Sequence, residues 1–71
     1  MISYRKLREL LESRNISFRK LRNDVGITSN VATNLNNDRP VPIERLAEIC
    51  RYLDVPIEAV VEVVVDRVDG D

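Results

Sequence analysis

Four short, uncharged polar side chains occur at helical spacing on one face of residues 28–36, and their types suit hydrogen bonding to nucleobases. They are Ser29, Asn30, Thr33 and Asn34. Exposed helices usually carry Glu and Lys, whereas Asn and Thr are poor helix formers. An Asn amide pairs with the adenine edge in the DNA major groove, and Ser and Thr can contact several bases. The face therefore predicts contact with base edges of DNA; the alternative is a poorly optimised surface helix.

A glycine corner is expected to position this face. Residues 18–25 and 28–36 are predicted helices, with Ser17 and Thr28 as N-caps, because hydroxyl oxygens accept the unpaired N–H groups at a helix start. Gly26 directly follows the first of these helices, where a left-handed residue costs least without a Cβ. The inward-facing positions of the pair are Leu21, Val25, Ala32 and Leu35.

The spacing of Ser17, Leu21, Gly26-Ile27-Thr28, Ala32 and Leu35 resembles the helix-turn-helix of the lambda-repressor-like, Cro-type (xenobiotic-response-element) DNA-binding family. The later run 46–55 is similar to that family's fourth helix and the turn after it, so the resemblance covers roughly residues 3–62. It implies an all-α, five-helix domain with the helix-turn-helix at helices 2 and 3. It also implies a sequence-specific transcriptional regulator, a repressor, whose recognition helix 28–36 enters the major groove of double-stranded DNA.

The residues expected to contact DNA phosphates flank the recognition helix: Ser17, Arg19, Thr28, Asn37 and Arg39. Three positions depart from the family pattern. Phe18 stands where a Gln often holds a phosphate, which leaves Arg19 or backbone N–H groups to replace it. Arg22 stands where Ala is favoured at the helix crossing, and implies a wider crossing or a side chain that bends outward. Asp38 stands where Gly is frequent, and implies local strain.

The charges of the chain are segregated along the sequence. The net charge of −1 argues at first against a nucleic-acid partner. Residues 1–39, however, carry eight basic and four acidic side chains, whereas residues 40–71 carry three basic and eight acidic ones. The basic half contains the helix-turn-helix, and such asymmetry is typical of a nucleic-acid-binding face. A charge-segregated surface that only solvates the protein is the alternative.

Three further helices are predicted from apolar periodicity. The first spans residues 4–13, with Ser3 as its cap. The fourth has Pro42 in its first turn, where a backbone N–H would be unpaired anyway, and it ends near residue 53. The fifth spans about 56–61. The apolar stripes of the first and fourth helices are Tyr4, Leu7, Leu10, Leu11, Ile43, Leu46, Ala47, Ile49, Cys50 and Leu53.

The valine-rich run Val60–Val65 departs most from a helical domain, because clustered valines favour extended structure. A strand here would need a partner, either the same strand of a second subunit in a homodimer or another protein. The alternative is an extension of the fifth helix followed by a disordered acidic end. We therefore divide the chain into a helix-turn-helix domain, residues 1–62, and a tail, residues 63–71.

Composition narrows the function classes. A chain of 71 residues forms one domain with a small stability margin, to which dimerisation would add. It has no histidine, one cysteine (Cys50) and two glycines, which argues against an enzyme, a metal site and a bound cofactor. The absence of a membrane span or export leader, together with an unpaired cysteine, predicts a cytoplasmic location.

Two other function classes stay open. One is an antitoxin-like or phage-encoded protein whose acidic, valine-rich tail binds a protein partner while the helix-turn-helix regulates its own synthesis. The other is an adaptor that kept the fold and lost DNA binding, for which Phe18, Arg22 and the acidic balance are the evidence. Fold alone does not decide among these functions.

Overall fold

The structure, a computed structural model, describes residues 1–65 and contains four α-helices and a small antiparallel sheet within that range. The helices are α1 (Arg5–Ser13), α2 (Phe18–Val25), α3 (Ser29–Asn36) and α4 (Ile43–Leu53). The strands are β1 (Ile2–Ser3) and β2 (Glu62–Val63). The predicted bounds of α2 and α3 are confirmed to within one residue.

The core lies where the four helices meet and is built from aliphatic side chains plus one tyrosine. Its buried members are Tyr4, Leu7, Leu11, Leu21, Ile27, Leu35, Leu46, Ile49, Leu53 and Val60. Most of the predicted apolar stripe is therefore confirmed, but Ile43 and Ala47 are exposed. Ile43 is the first residue of α4, and 62% of its surface is exposed.

The corner between α2 and α3 has the predicted chemistry. The Ser17 hydroxyl oxygen accepts a hydrogen bond from the Lys20 N–H at 3.0 Å, and the Thr28 hydroxyl oxygen accepts one from the Val31 N–H at 3.2 Å. Gly26 ends α2 in the left-handed conformation, with a φ of 86°. These local interactions decide where each helix of the pair begins and ends.

The prediction of a fifth helix is wrong. Residues Ile57–Ala59 form a single turn of 3₁₀-helix, after which the chain becomes extended. The reason is the run of valines that follows, because β-branched side chains lose rotamer freedom in a helix and pack well in a strand.

The chain is also not purely α-helical, because β2 pairs with β1. Ile2 lies opposite Val63, Ser3 lies opposite Glu62, and the Val64 N–H donates to the Met1 carbonyl oxygen at 2.9 Å. The valine-rich run thus contributes a strand, as one of the two predicted alternatives had it, and the other alternative, an extension of the fifth helix, is wrong. This strand pairs within its own chain. The acidic end, residues 66–71, lies outside the described residues.

The start of α1 differs from its prediction because β1 precedes it directly. Tyr4 is the N-cap residue of α1, and its side chain forms no capping hydrogen bond. Ser3 lies in the strand, although its hydroxyl oxygen still accepts from the Arg5 N–H at 3.2 Å. Pro42 likewise lies one position before the first residue of α4.

Polar side-chain contacts at the surface connect α4 to α2 and to Arg14, the residue after α1. The Tyr52 hydroxyl on α4 donates to the Asp24 carboxylate on α2 at 2.5 Å, and the Lys20 ammonium lies 3.1 Å from the same carboxylate. These contacts, the Tyr52 hydrogen bond first, lower the pKa of Asp24. At the same end of α4, the Arg14 guanidinium donates to the Leu53 carbonyl oxygen.

Across residues 1–65, the structure contains no helix with both the length and the apolar character needed to cross a bilayer.

Replacing Gly26 tests the corner. An added Cβ at this position meets no atom within 4 Å, so the cost of Gly26→Ala is backbone strain alone. We expect the free energy of unfolding to fall by about 1 kcal/mol, the usual cost of a left-handed L-residue. Gly26→Asn, which tolerates this conformation better, is expected to lose less in urea unfolding followed by circular dichroism. Equal losses for Ala and Asn would contradict this explanation.

Candidate nucleic-acid interface

The outward face of α3 carries the four predicted base-contacting residues. Ser29, Asn30 and Thr33 are exposed and Asn34 is half-buried. Leu35, on the opposite side of the helix, is completely buried and anchors α3 to the core. The amide and hydroxyl groups of this face are therefore at least partly accessible to solvent.

Part of this face already forms hydrogen bonds within the chain. The Thr33 hydroxyl donates to the Ser29 carbonyl oxygen at 2.9 Å, so its oxygen is left as an acceptor. The Asn34 amide nitrogen lies 3.5 Å from the Pro40 carbonyl oxygen, a weak contact that leaves its second N–H and its oxygen available. An Asn amide in this state can still offer both a donor and an acceptor to one base.

The predicted phosphate contacts lie at both ends of α3 and at the start of α2. The hydroxyl oxygens of Ser17 and Thr28 accept cap hydrogen bonds, and both residues are exposed. Asn37 caps the end of α3, where its amide nitrogen donates to the Thr33 carbonyl oxygen at 2.8 Å. Arg19 and Arg39 are exposed. The structure thus places all five residues at the surface, around the same helix.

A cleft of about 490 Å³ lies between α2 and α3 on this side of the molecule. It is lined by Phe18, Arg19, Arg22, Ser29, Ala32, Thr33 and Asn36. Arg22 is exposed, in agreement with the expectation of a side chain that bends outward. Arg22 and Asn36 were not among the predicted site residues; the unusual arginine at the helix crossing is the one signal in the sequence that points to this cleft.

The loop after α3 is held by the carboxylate of Asp38, a residue predicted only to be strained. Asp38 has a φ of 57°, a left-handed conformation that an L-residue adopts at some cost, in agreement with the expected local strain. Its carboxylate accepts from the Tyr4 N–H and from the Arg8 guanidinium, both at 2.8 Å. The same guanidinium donates to the Leu35 carbonyl oxygen at 3.0 Å. We call Tyr4, Arg8 and Asp38 the α1–loop latch.

The latch positions the loop that carries Asn37 and Arg39. The Tyr4 hydroxyl donates to the Arg39 carbonyl oxygen at 2.8 Å, so a buried side chain of the core also fixes the backbone of this loop. The Arg8 guanidinium, followed by the Tyr4 N–H, lowers the pKa of the Asp38 carboxyl. The latch therefore stays charged and intact at neutral pH.

Cys50 has no partner cysteine and faces the core. Burial, with a smaller contribution from the charge of Glu58, raises the pKa of its thiol. Within residues 1–65, no group of three or more His, Cys, Asp or Glu side chains is arranged to hold a metal ion.

A family model, the Cro/C1-type helix-turn-helix DNA-binding domain, matches residues 6–66 of the chain. The match spans most of the sequence and includes α2, α3 and the cleft between them. The chain belongs to this family. The resemblance drawn from the spacing of the two helices is therefore confirmed.

The fold is similar to a crystal structure of the transcriptional regulator VanUg (form II), with a TM-score of 0.82 and 31% sequence identity. The similarity covers 86% of this chain and 81% of that one. No curated protein matches the sequence.

The pH dependence of stability tests the α1–loop latch. Because the folded pKa of Asp38 lies below its ordinary value of 3.8, its stabilisation is complete above that value and is lost as pH falls through the lowered pKa. We expect Asp38→Asn to reduce stability at neutral pH, and the gap from the wild type to close in acid. Urea unfolding at a series of pH values measures this gap.

A matched control is Glu12→Gln, which removes an exposed carboxyl that forms no ion pair among residues 1–65. We expect this variant to follow the wild-type profile. A stability gap for Asp38→Asn that stays constant down to the acid limit would show that the charge of Asp38 does not stabilise the loop.

Proposed function

We propose that this protein is a sequence-specific, double-stranded DNA-binding transcriptional repressor that acts as a homodimer in the cytoplasm. The observation that carries the proposal is the exposed amide and hydroxyl face of α3, flanked by exposed arginines on α2 and in the loop after α3. The family match supports the DNA partner, and the similarity to a transcriptional regulator supports the regulatory role.

In this proposal α3 enters the major groove and its four polar residues read base edges. Asn34 is the strongest candidate for an adenine contact, because its amide can donate to N7 and accept from the N6 amino group. Ser29, Asn30 and Thr33 complete the reading surface. Ser17, Arg19, Thr28, Asn37 and Arg39 contact phosphates and so set the register of the helix on the duplex.

The homodimer is supported by the outer edge of the small sheet. Val63 and Val65 are 71% and 69% exposed, and within residues 1–65 the sheet has only two strands, which leaves an edge of β2 open for pairing. Antiparallel pairing of two β2 strands would produce a symmetric contact. The two recognition helices of such a dimer would read half-sites about 34–36 Å apart.

Substitution of Asn34 separates base reading from general DNA binding. After selection of bound sequences from a random duplex pool, we expect Asn34→Ala to weaken binding to the selected site by about 1–3 kcal/mol and to spare random-sequence DNA. Arg39→Ala serves as the contrast: it should weaken binding to both duplexes equally and reduce the salt slope by about one. Fluorescence anisotropy measures both variants. Equal losses for Asn34→Ala on the two duplexes would remove this residue from the reading surface.

Substitution of Val63 tests the dimer. We expect the wild type to sediment as a dimer and Val63→Lys to sediment as a monomer, because a lysine on an open strand edge opposes pairing with a second chain. The control Val63→Thr keeps a β-branched side chain and should keep the dimer. A wild-type monomer, or a dimer that survives Val63→Lys, would contradict this interface.

The same exposed valines favour a second candidate function, an antitoxin-like or phage-encoded protein whose tail binds another protein. A chain that is monomeric alone and whose two-stranded sheet gains a strand in a complex would support it. An adaptor without DNA binding would instead show no affinity for random-sequence duplex DNA at tens of micromolar, where non-specific binders typically show ~10⁻⁴ to 10⁻⁶ M.

A further inference from the structure

A second cavity, of about 620 Å³, lies between β1, the loop after α3, α4 and the residue that precedes β2. Most of its lining is apolar. The apolar members are Met1, Ile2, Pro40, Val41, Leu46 and Val61. Its volume falls within the range of roughly 300–1,000 Å³ that is usual for small-molecule sites. The cavity is therefore large enough for a small ligand, and its walls favour an apolar one.

Two polar side chains, Tyr4 and Asp38, complete the lining. The Tyr4 hydroxyl donates its proton to the Arg39 carbonyl oxygen. In the Asp38 carboxylate, Oδ1 accepts from the Tyr4 N–H and from the Arg8 guanidinium, both at 2.8 Å, whereas Oδ2 has one long contact with the same guanidinium at 3.4 Å. The described side chains of the lining thus offer a carboxylate acceptor and no unused donor.

The charge of this carboxylate is already balanced by Arg8, whose guanidinium forms an ion pair with it. A charged ligand would lose its hydration in an apolar cavity without gaining an unpaired opposite charge, which costs free energy. A neutral hydroxyl loses less, and its hydrogen bond to a carboxylate is short and charge-assisted. The acceptor at Asp38 therefore favours a neutral ligand that carries a donor.

We propose that this cavity binds a small neutral molecule with an apolar body and one hydroxyl group, of the class of the arylalkyl alcohols. The apolar body lies against the aliphatic walls, and the hydroxyl donates to Oδ2 of Asp38. This site goes beyond the proposed function, because none of the residues assigned to bases or phosphates lines the cavity. Val63 and Val65, which lie at the proposed dimer edge, do not line it either.

A ligand in this cavity holds the loop after α3 in its observed arrangement. Pro40 and Val41 form part of the wall and Asp38 supplies the acceptor, so a loop that leaves the latch removes the site. A ligand that binds only the latched arrangement stabilises it. We therefore expect the Arg39 N–H, which donates to the Asn34 carbonyl oxygen at 2.9 Å, to exchange with solvent more slowly when the cavity is occupied.

Titration of the wild type with phenylbutanol, followed by NMR of the methyl groups, tests the site. We expect the signals of Ile2, Val41 and Val61 to shift with added alcohol, whereas those of Val31 and Val55, outside the lining, stay in place. The methyl ether of the same alcohol lacks the donor and should bind roughly three- to tenfold more weakly, the usual effect of one hydrogen bond. Phenylbutylammonium and phenylbutyrate, which carry a charge on the same body, should also bind more weakly.

A matched pair of variants locates the ligand. Val41→Phe adds a larger apolar side chain to the lining and should weaken binding of the alcohol roughly tenfold or more, because it occupies the ligand's space. Val55→Phe makes the same change at another half-buried valine outside the lining and should leave the affinity as in the wild type. Circular dichroism verifies that both variants are folded, and the wild-type titration depends on neither.

Several results would contradict the proposal. Methyl signals that stay unchanged up to the solubility limit of phenylbutanol would overturn the site. Equal affinity for the alcohol and its ether would overturn the hydrogen bond to Asp38, and tighter binding of the ammonium or the carboxylate would overturn the neutral class of ligand. Shifts of Ile2, Val41 and Val61 on dilution of the protein alone would show that a second copy of the chain covers the cavity, which would also overturn it.

Discussion

The candidate nucleic-acid interface depends on a short helix, α3, whose position is fixed by the rest of the fold. Helix α3 has eight residues and a surface of Asn, Ser and Thr, and helices this short are marginal in water without tertiary support. The support comes from three sets of contacts: the Gly26 corner before its start, the fully buried Leu35 in its last turn, and the latch at its end. Because these anchors lie on the inner side and at the ends, the outer face can be chosen for what it contacts.

The charged residues of α2 are divided between two faces of the helix. The face toward the cleft is basic although the protein as a whole has a net negative charge. Lys20 and Asp24 form an ion pair on the side where Tyr52 of α4 is bonded to the same aspartate. Arg19 and Arg22 lie on the side that borders the cleft. Leu21, buried between them, packs into the core. The net charge of −1 is therefore a poor guide to this surface, because a binding partner interacts with the local electrostatic potential and not with the net charge of the whole chain.

The two ends of the described chain complete the fold together. Ile2 and Val63 pair across the sheet, so the N-terminal strand supplies the partner that an isolated valine-rich strand would lack. Two strands of two residues leave most of their backbone edge unpaired, and the exposed valines lie there. Strand β2 therefore pairs with β1 on one edge and has its other edge available for association. The proposed dimer is based on this second edge.

Sequence alone determined the features whose physical causes are local. The helix bounds near Ser17, Gly26 and Thr28 follow from hydroxyl caps and a left-handed glycine, which act over four residues or fewer. The polar face of α3 follows from helical periodicity in the same way. Only the tertiary structure decided the contacts between distant segments: the bond between Arg8 and Asp38, thirty residues apart, the pairing of β1 with β2, and the outward direction of Arg22. Such contacts depend on how the whole chain packs, and neither residue of a pair carries a local signal that names its partner.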